Sequence, residues 1–177
     1  CSYGVHLNLT EFAPLTGDAD LGSLLDEDGG FAGEIVRQIP IGRELATGIY
    51  TEFCTQINRL TSLGIEIGHI DSHLHIHTIP KIFPILKKVQ RRFGIRKARL
   101  SRNIFSPNER TPLALKLKKG GYNTLLRHYY RTRTADGFSD FLSFYASAKH
   151  QGSNMGTVEV MIHPGNHHYS NEESDLI

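Results

Sequence analysis

Residues 65–77 read IEIGHIDSHLHIH, and the fold turns on whether this stretch is a strand or a helix. A helical reading pairs His73 with His77 at i, i+4, but no Glu follows His73 as the helical zinc-protease signature requires. A strand reading puts His69, Asp71, His73, His75 and His77 on one face, with neighbours of that face roughly 6.6 Å apart at about 3.3 Å rise per residue. These five side chains cannot all ligate one ion. A catalytic metal takes about three protein ligands and keeps a position open, so one or two members would bind while the others orient them from behind. The competing reading is a hydrogen-bonded core histidine or a solvated histidine-rich loop.

Outward from this stretch, strands and helices alternate. Val5, Leu7 and Leu9 interleave with His6, Asn8 and Thr10, a period-2 strand with one apolar face. Residues 14–34 are rich in Gly, Asp and Pro and read as a long excursion with short turns. From 43 to 63, Leu45, Ile49, Phe53, Ile57 and Leu60 recur at helical spacing, and Gly64 stands at the C-cap. Pro80 starts a second helix with Ile82, Ile85, Val89 and Phe93 inward, Lys87, Lys88, Arg91 and Arg92 outward, and Gly94 at its end. Residues 97–102 suggest a short strand. Residues 107–134 look helical, basic and interrupted at KGGY (119–122). FSDFLSFYASAK (138–149) reads as a helix and TVEVMIH (157–163) as a strand running into Pro164 and Gly165. The alternation predicts an α/β domain with a mainly parallel sheet or barrel, whose reactive groups belong at the carboxyl ends of the strands. Three strands carry histidines there: VHLNL, DSHLHIH and MIHPG.

The 177 residues suit a single domain, with 39% hydrophobic and 21% charged residues as in an ordinary soluble protein. A net charge of +2 gives no reason to expect a nucleic-acid or membrane partner. No apolar run approaches the roughly 18 residues that span a bilayer. Cys1 and Cys54 make no disulfide framework, so a reduced, cytoplasmic setting is the simplest expectation. The chain opens CSYGVHLNLT without Met and almost at once in a strand. Residues before Cys1 are therefore expected to be missing, and the ending NEESDLI is expected to be cut as well.

Other candidates follow from position. His6 faces away from the three apolar side chains of its strand, beside Asn8, and could supply a metal ligand from a second strand. His163 ends a strand before a sharp turn, where an imidazole suits proton transfer near neutral pH. Arg99 could bind a substrate oxygen or orient a carboxylate, and a surface arginine is the plainer alternative. His167 and His168 read as surface. The basic residues between 87 and 102 are mostly one helix face without interleaved aromatics, unlike a nucleic-acid platform. No Ser elbow, P-loop, GxGxxG or CxxC is present.

Taken in order, GVHLNLTEFAPL, SLLDEDGGF, HIDSHLHIHTIPKIFPI, RKARLSR, TADGF and EVMIHPG resemble the YdjC-like carbohydrate deacetylases, which include the chitooligosaccharide deacetylases. The resemblance covers nearly the whole chain. It implies a distorted (β/α) barrel of the polysaccharide-deacetylase type with its first strand missing here. It also implies a divalent metal, Mg²⁺ or Zn²⁺, held by one Asp and two His, the histidines being His6 and His73. The family's aspartates come from an N-terminal DDFG-type motif absent from this sequence, so the metal's carboxylate and the catalytic base are expected before Cys1. Asp71 and His75 become supporting groups, with His77 in the pocket wall.

The implied chemistry is metal-assisted hydrolysis of an acetamide on an N-acetylated amino sugar or short oligosaccharide. By the same analogy His163 would protonate the leaving amine and Arg99 would orient. A homodimer is compatible with this reading. The alternatives are a metal-dependent hydrolase of another amide or a phosphoester, and a metal- or carbohydrate-binding relative without catalysis.

Overall fold

The computed structural model describes residues 2–17, 19–151 and 156–163. The chain divides into two compact units, residues 1–98 with 127–133 and residues 99–126 with 134–177. In the first, β1 (Tyr3–Leu7), β2 (Ile67–Ser72) and β3 (Lys97–Ala98) form a parallel sheet in that order. The helices α1 (Arg43–Thr61) and α2 (Phe83–Phe93) make the two crossovers. This is the expected α/β arrangement: parallel strands need crossover connections, and helices supply them.

The expected stripe on α1 is buried at Leu45, Ile49, Phe53 and Ile57. Against it pack Val5, Leu7 and Leu9, also buried, and Ile70 of β2. Each full burial of this kind stabilises by about 1.5–3 kcal/mol, and Ile85, Leu86 and Val89 of α2 add to the same unit's core. The excursion before α1 makes two 3₁₀ turns, Ala19–Leu24 and Gly33–Arg37, which bury Leu21, Leu24 and Val36.

Two expectations for the second helix need correction. Pro80 does not start it: Ile79 is extended, the chain turns once with Ile82 N–H donating to the Ile79 carbonyl, and α2 begins at Phe83 with Pro84 in its first turn. Proline fits there because its missing N–H would have had no helical partner. Lys87 is not on the solvated face. It is 3% exposed, and its ammonium donates to Thr132 Oγ1 at 2.6 Å and Gln90 Oε1 at 2.9 Å. Residues 127–133 return to this unit and cover that side of the helix. The helix ends as expected at Gly94, φ 69°, whose N–H donates to the Gln90 carbonyl.

The second unit contains α3 (Leu113–His128) as far as Leu126, β4 (Gly137–Asp140), α4 (Phe141–Gln151) and β5 (Val158–Met161), with β4 and β5 parallel. The helix α3 runs unbroken through residues 119–122, where an interruption is expected from KGGY. Two glycines weaken a helix by about 1 kcal/mol each but do not stop it. The helix expected from residue 138 begins three residues later. Phe138, Ser139 and Asp140 pair with β5, and Asp140 Oδ1 then accepts the Ser143 N–H at 2.9 Å to cap α4. The strand expected at 157–163 is β5. No helix among the described residues is long and apolar enough to cross a membrane.

Candidate metal-binding site at the strand ends

The parallel register of β1 and β2 sets His6 opposite Asp71. Alternation buries Val5, Leu7 and Ile70 and turns His6 and Asp71 to the other face. Neighbouring strands lie about 4.8 Å apart, close enough for side chains to join. His6 Nδ1 meets Asp71 Oδ1 at 2.9 Å, with the His6 side chain 52% exposed and the carboxylate 9%. A carboxylate on Nδ1 fixes the ring and its tautomer and leaves Nε2 as the available donor atom, the arrangement found behind metal-bound histidines.

Beyond Ser72 the strand expectation fails. The chain enters a 3₁₀ turn, His73–Thr78, in which Leu74 and His75 adopt φ 46° and 56°. Two consecutive non-glycine residues in the left-handed region carry strain of order 1–3 kcal/mol each, held here by surrounding bonds. The Arg37 guanidinium donates to the Leu74 carbonyl, and Thr78 Oγ1 donates to the His75 carbonyl at 2.8 Å. The His77 N–H donates to Ser72 Oγ at 2.9 Å, and its Nδ1 lies 2.5 Å from the same oxygen. Consequently the five odd-numbered residues do not share a face. His73 stays at the strand end, its ring 5.7 Å from that of His6 and edge-on at 78°. His77 is fully buried, and His75 packs at 6.4 Å against His77 rather than lining a wall beside His73. His69 sits at the other end of β2, over Gly4 of β1; a Cβ there would come within 2.2 Å of its ring.

Sequence reasoning overlooked Glu11, whose Oε1 lies 3.2 Å from His73 Nε2. The clue is Asn8 three residues earlier. Asn8 Oδ1 accepts the backbone N–H groups of Thr10 at 2.9 Å and Glu11 at 3.2 Å, an Asx turn that aims the loop. Gln56 of α1 brackets Asn8, accepting its N–H at 2.9 Å and donating to its carbonyl at 2.7 Å. One helical turn away, the fully buried Glu52 accepts from Leu15 N at 3.1 Å, Thr16 N at 2.9 Å, Thr16 Oγ1 at 2.8 Å and Gln56 Nε2 at 2.8 Å. Two polar residues on a core-facing helix surface are the readable signal for such a clamp.

Arg99 and His163 lie in the second unit. Arg99 Nε contacts Glu159 Oε1 at 2.6 Å, with its guanidinium 4.9 Å from the centre of the Phe138 ring. His163 follows β5 and is partly buried; Pro164, Gly165, His167 and His168 fall outside the described residues. Two imidazoles, one oriented by a carboxylate, fit a divalent cation as part of its ligand set. Among the described residues no group of three or more His, Cys, Asp or Glu side chains is placed to hold one.

A Geobacillus stearothermophilus protein described as a carbohydrate deacetylase is 38% identical over 97 residues, 52% of this chain and 35% of its own length. A Halalkalibacterium halodurans protein with the same description is 27% identical over 164 residues, 91% of this chain and 61% of its own. The chain thus spans between about a third and three-fifths of these curated relatives. A crystal structure from Enterococcus faecalis, of a protein provisionally described as a cellobiose-phosphate cleavage protein, has the same fold. The TM-score is 0.66 at 22% identity, over 92% of this chain and 60% of that one. The sequence model of the YdjC-like protein family matches residues 1–175. Because that match runs along nearly all of the 177 residues rather than through one motif, this chain belongs to the YdjC-like protein family.

Proposed function

We propose that the protein is a metal-dependent hydrolase that removes N-acetyl groups from amino sugars or short chitooligosaccharides. The observation that carries this reading is the strand-end pair: His6, held by Asp71 at 2.9 Å, beside His73 at 5.7 Å between rings. The descriptions of the curated relatives as carbohydrate deacetylases support the substrate class. The accompanying fold reading is a distorted (β/α) barrel forming one domain over residues 1–177, in a cytoplasmic enzyme.

His6 and His73 would hold the cation, Mg²⁺ or Zn²⁺. When bound, it would polarise the acetamide carbonyl and lower the pKa of water. In the neutral ring Asp71 accepts a hydrogen bond from His6 Nδ1–H, which selects the tautomer whose Nε2 lone pair is free to bind the cation. Glu11, against His73 Nε2, adds a carboxylate beside the histidine pair able to accept hydrogen bonds from the hydroxyl or amide groups of a sugar. By the resemblance to the deacetylases, His163 would protonate the departing amine and Arg99, which pairs with Glu159, would orient.

The test is acetate release from a panel of N-acetylated sugars by the complete gene product with added Mg²⁺ or Zn²⁺. Release that EDTA stops and that His6→Ala abolishes is the expected result. No release from any member of the panel overturns the substrate class. A second reading, a metal- or carbohydrate-binding relative without catalysis, is favoured by the lack of a third ligand group among the described residues. Stoichiometric metal binding without acetate release would select it.

A further inference from the structure

The second unit contains a cavity of about 410 Å³ that the reading above does not use. Its lining includes Arg102, Phe105, Glu109, Lys116, Lys119 and Ser147. Phe105 is surrounded by cations: the Arg102 guanidinium lies 5.0 Å from the ring centre, Lys116 Nζ 5.3 Å and Lys119 Nζ 5.2 Å. The two lysines stand one turn apart on α3 and therefore project from the same face.

The three cations are not equally satisfied. Arg102 pairs with Glu109 and lies 3.4 Å from Asp140 Oδ2, and it also donates to Ser143 Oγ at 3.1 Å and the Ile104 carbonyl at 3.1 Å. Its guanidinium is held by two carboxylates. Lys116 and Lys119 make no ion pair with a described residue; Phe105 is the shared contact. Burial, then the Arg102 charge, pull the Lys119 pKa down against a smaller opposing effect of Glu109. An anion beside both ammoniums would offset the burial and the Arg102 charge that disfavour the Lys119 cation, and would supply the acceptors that neither lysine finds among the described residues.

We propose that this cavity binds an oxyanion of the phosphate class, seated between Lys116 and Lys119, with Phe105 beneath and Arg102 held aside by Glu109 and Asp140. Phosphate fits better than a carboxylate because its three or four acceptor oxygens can serve two ammoniums at once. The site is independent of the hydrolase reading, since none of its residues belongs to the histidine pair.

The experiment is calorimetric titration of the protein with inorganic phosphate and with phenyl phosphate, ionic strength being held constant with KCl. Saturable binding of either at one site is expected; the tighter of the two tells whether the free ion or an ester is the source. Lys116→Gln and Lys119→Gln should each weaken binding about tenfold, whereas Glu109→Gln should strengthen it. Lys116 is exposed, so Lys116→Gln leaves the fold intact, which a melting curve checks. Heats no larger than those of the KCl control, or affinity unchanged in both lysine variants, overturn the proposal.

Discussion

At the scale of single residues, Asp71 and Lys87 show how one side chain depends on partners far away in sequence. Asp71 is 9% exposed at its side chain and touches His6 Nδ1. Asp71→Asn keeps the shape but removes the charge that fixes the tautomer. In the proposed reading, Zn²⁺ affinity should fall 10–100-fold by calorimetry, the range typical of partners behind metal-bound histidines. An unchanged affinity would detach Asp71 from the metal. Lys87 concerns pH instead. Burial first, and the charge of Arg91 second, lower its pKa from 10.5 to about 8. Between about pH 8 and 10.5 the unfolded chain therefore holds more protons than the folded one, and this group's contribution to stability rises with pH. Below pH 8 the cost of burying the ammonium is present in full. Wild type should gain melting temperature relative to Lys87→Met as pH rises from 8 to 10; parallel curves would show that Lys87 does not titrate in this window.

At the scale of elements, α1 does two jobs from its core-facing side. Leu45, Ile49, Phe53 and Ile57 fill the core, while Glu52 and Gln56 hold the loop after β1 through six hydrogen bonds to its residues or to each other. Removing the buried Glu52 strands part-buried donors at Leu15, Thr16 and Gln56, each costing up to about 1–3 kcal/mol. Glu52→Ala should lower stability by about 3 kcal/mol or more in urea unfolding. Because that loop carries Glu11 to His73, the same variant should loosen the loop in hydrogen exchange at residues 10–16. The end of α2 is a simpler case. Gly94 sits at φ 69°, where a Cβ is strained, so Gly94→Ala should cost about 1 kcal/mol, read from the same unfolding curves.

At the scale of the whole molecule, a ligand that binds only the folded chain stabilises it by mass action. The proposed metal should raise the melting temperature of the protein at a concentration well above its dissociation constant, and His73→Ala should remove that rise. A rise of equal size in the variant would place the ion elsewhere. Family membership extends over residues 1–175, and the match therefore concerns the framework as much as the histidines.

Much of this framework was legible in the sequence because its signals are local. The period-2 pattern of Val5, Leu7 and Leu9, the four-residue spacing from Leu45 to Ile57, and Gly94 at a helix end each express backbone geometry within a few residues. His6 and His73 were legible as candidates for the same reason, through strand ends and motif resemblance. Tertiary structure alone decided what depends on contacts between distant residues. The register of β1 on β2 chose Asp71 for His6. A left-handed turn at Leu74 and His75, unmarked by glycine, took His75 and His77 off the face of His73. Pairing with β5 drew Phe138–Asp140 out of the expected helix, and the return of residues 127–133 buried Lys87 among helix-face cations. Periodicity records which way a side chain points along its own element; which partner it meets is set by packing and pairing across the chain, and these have no local signature.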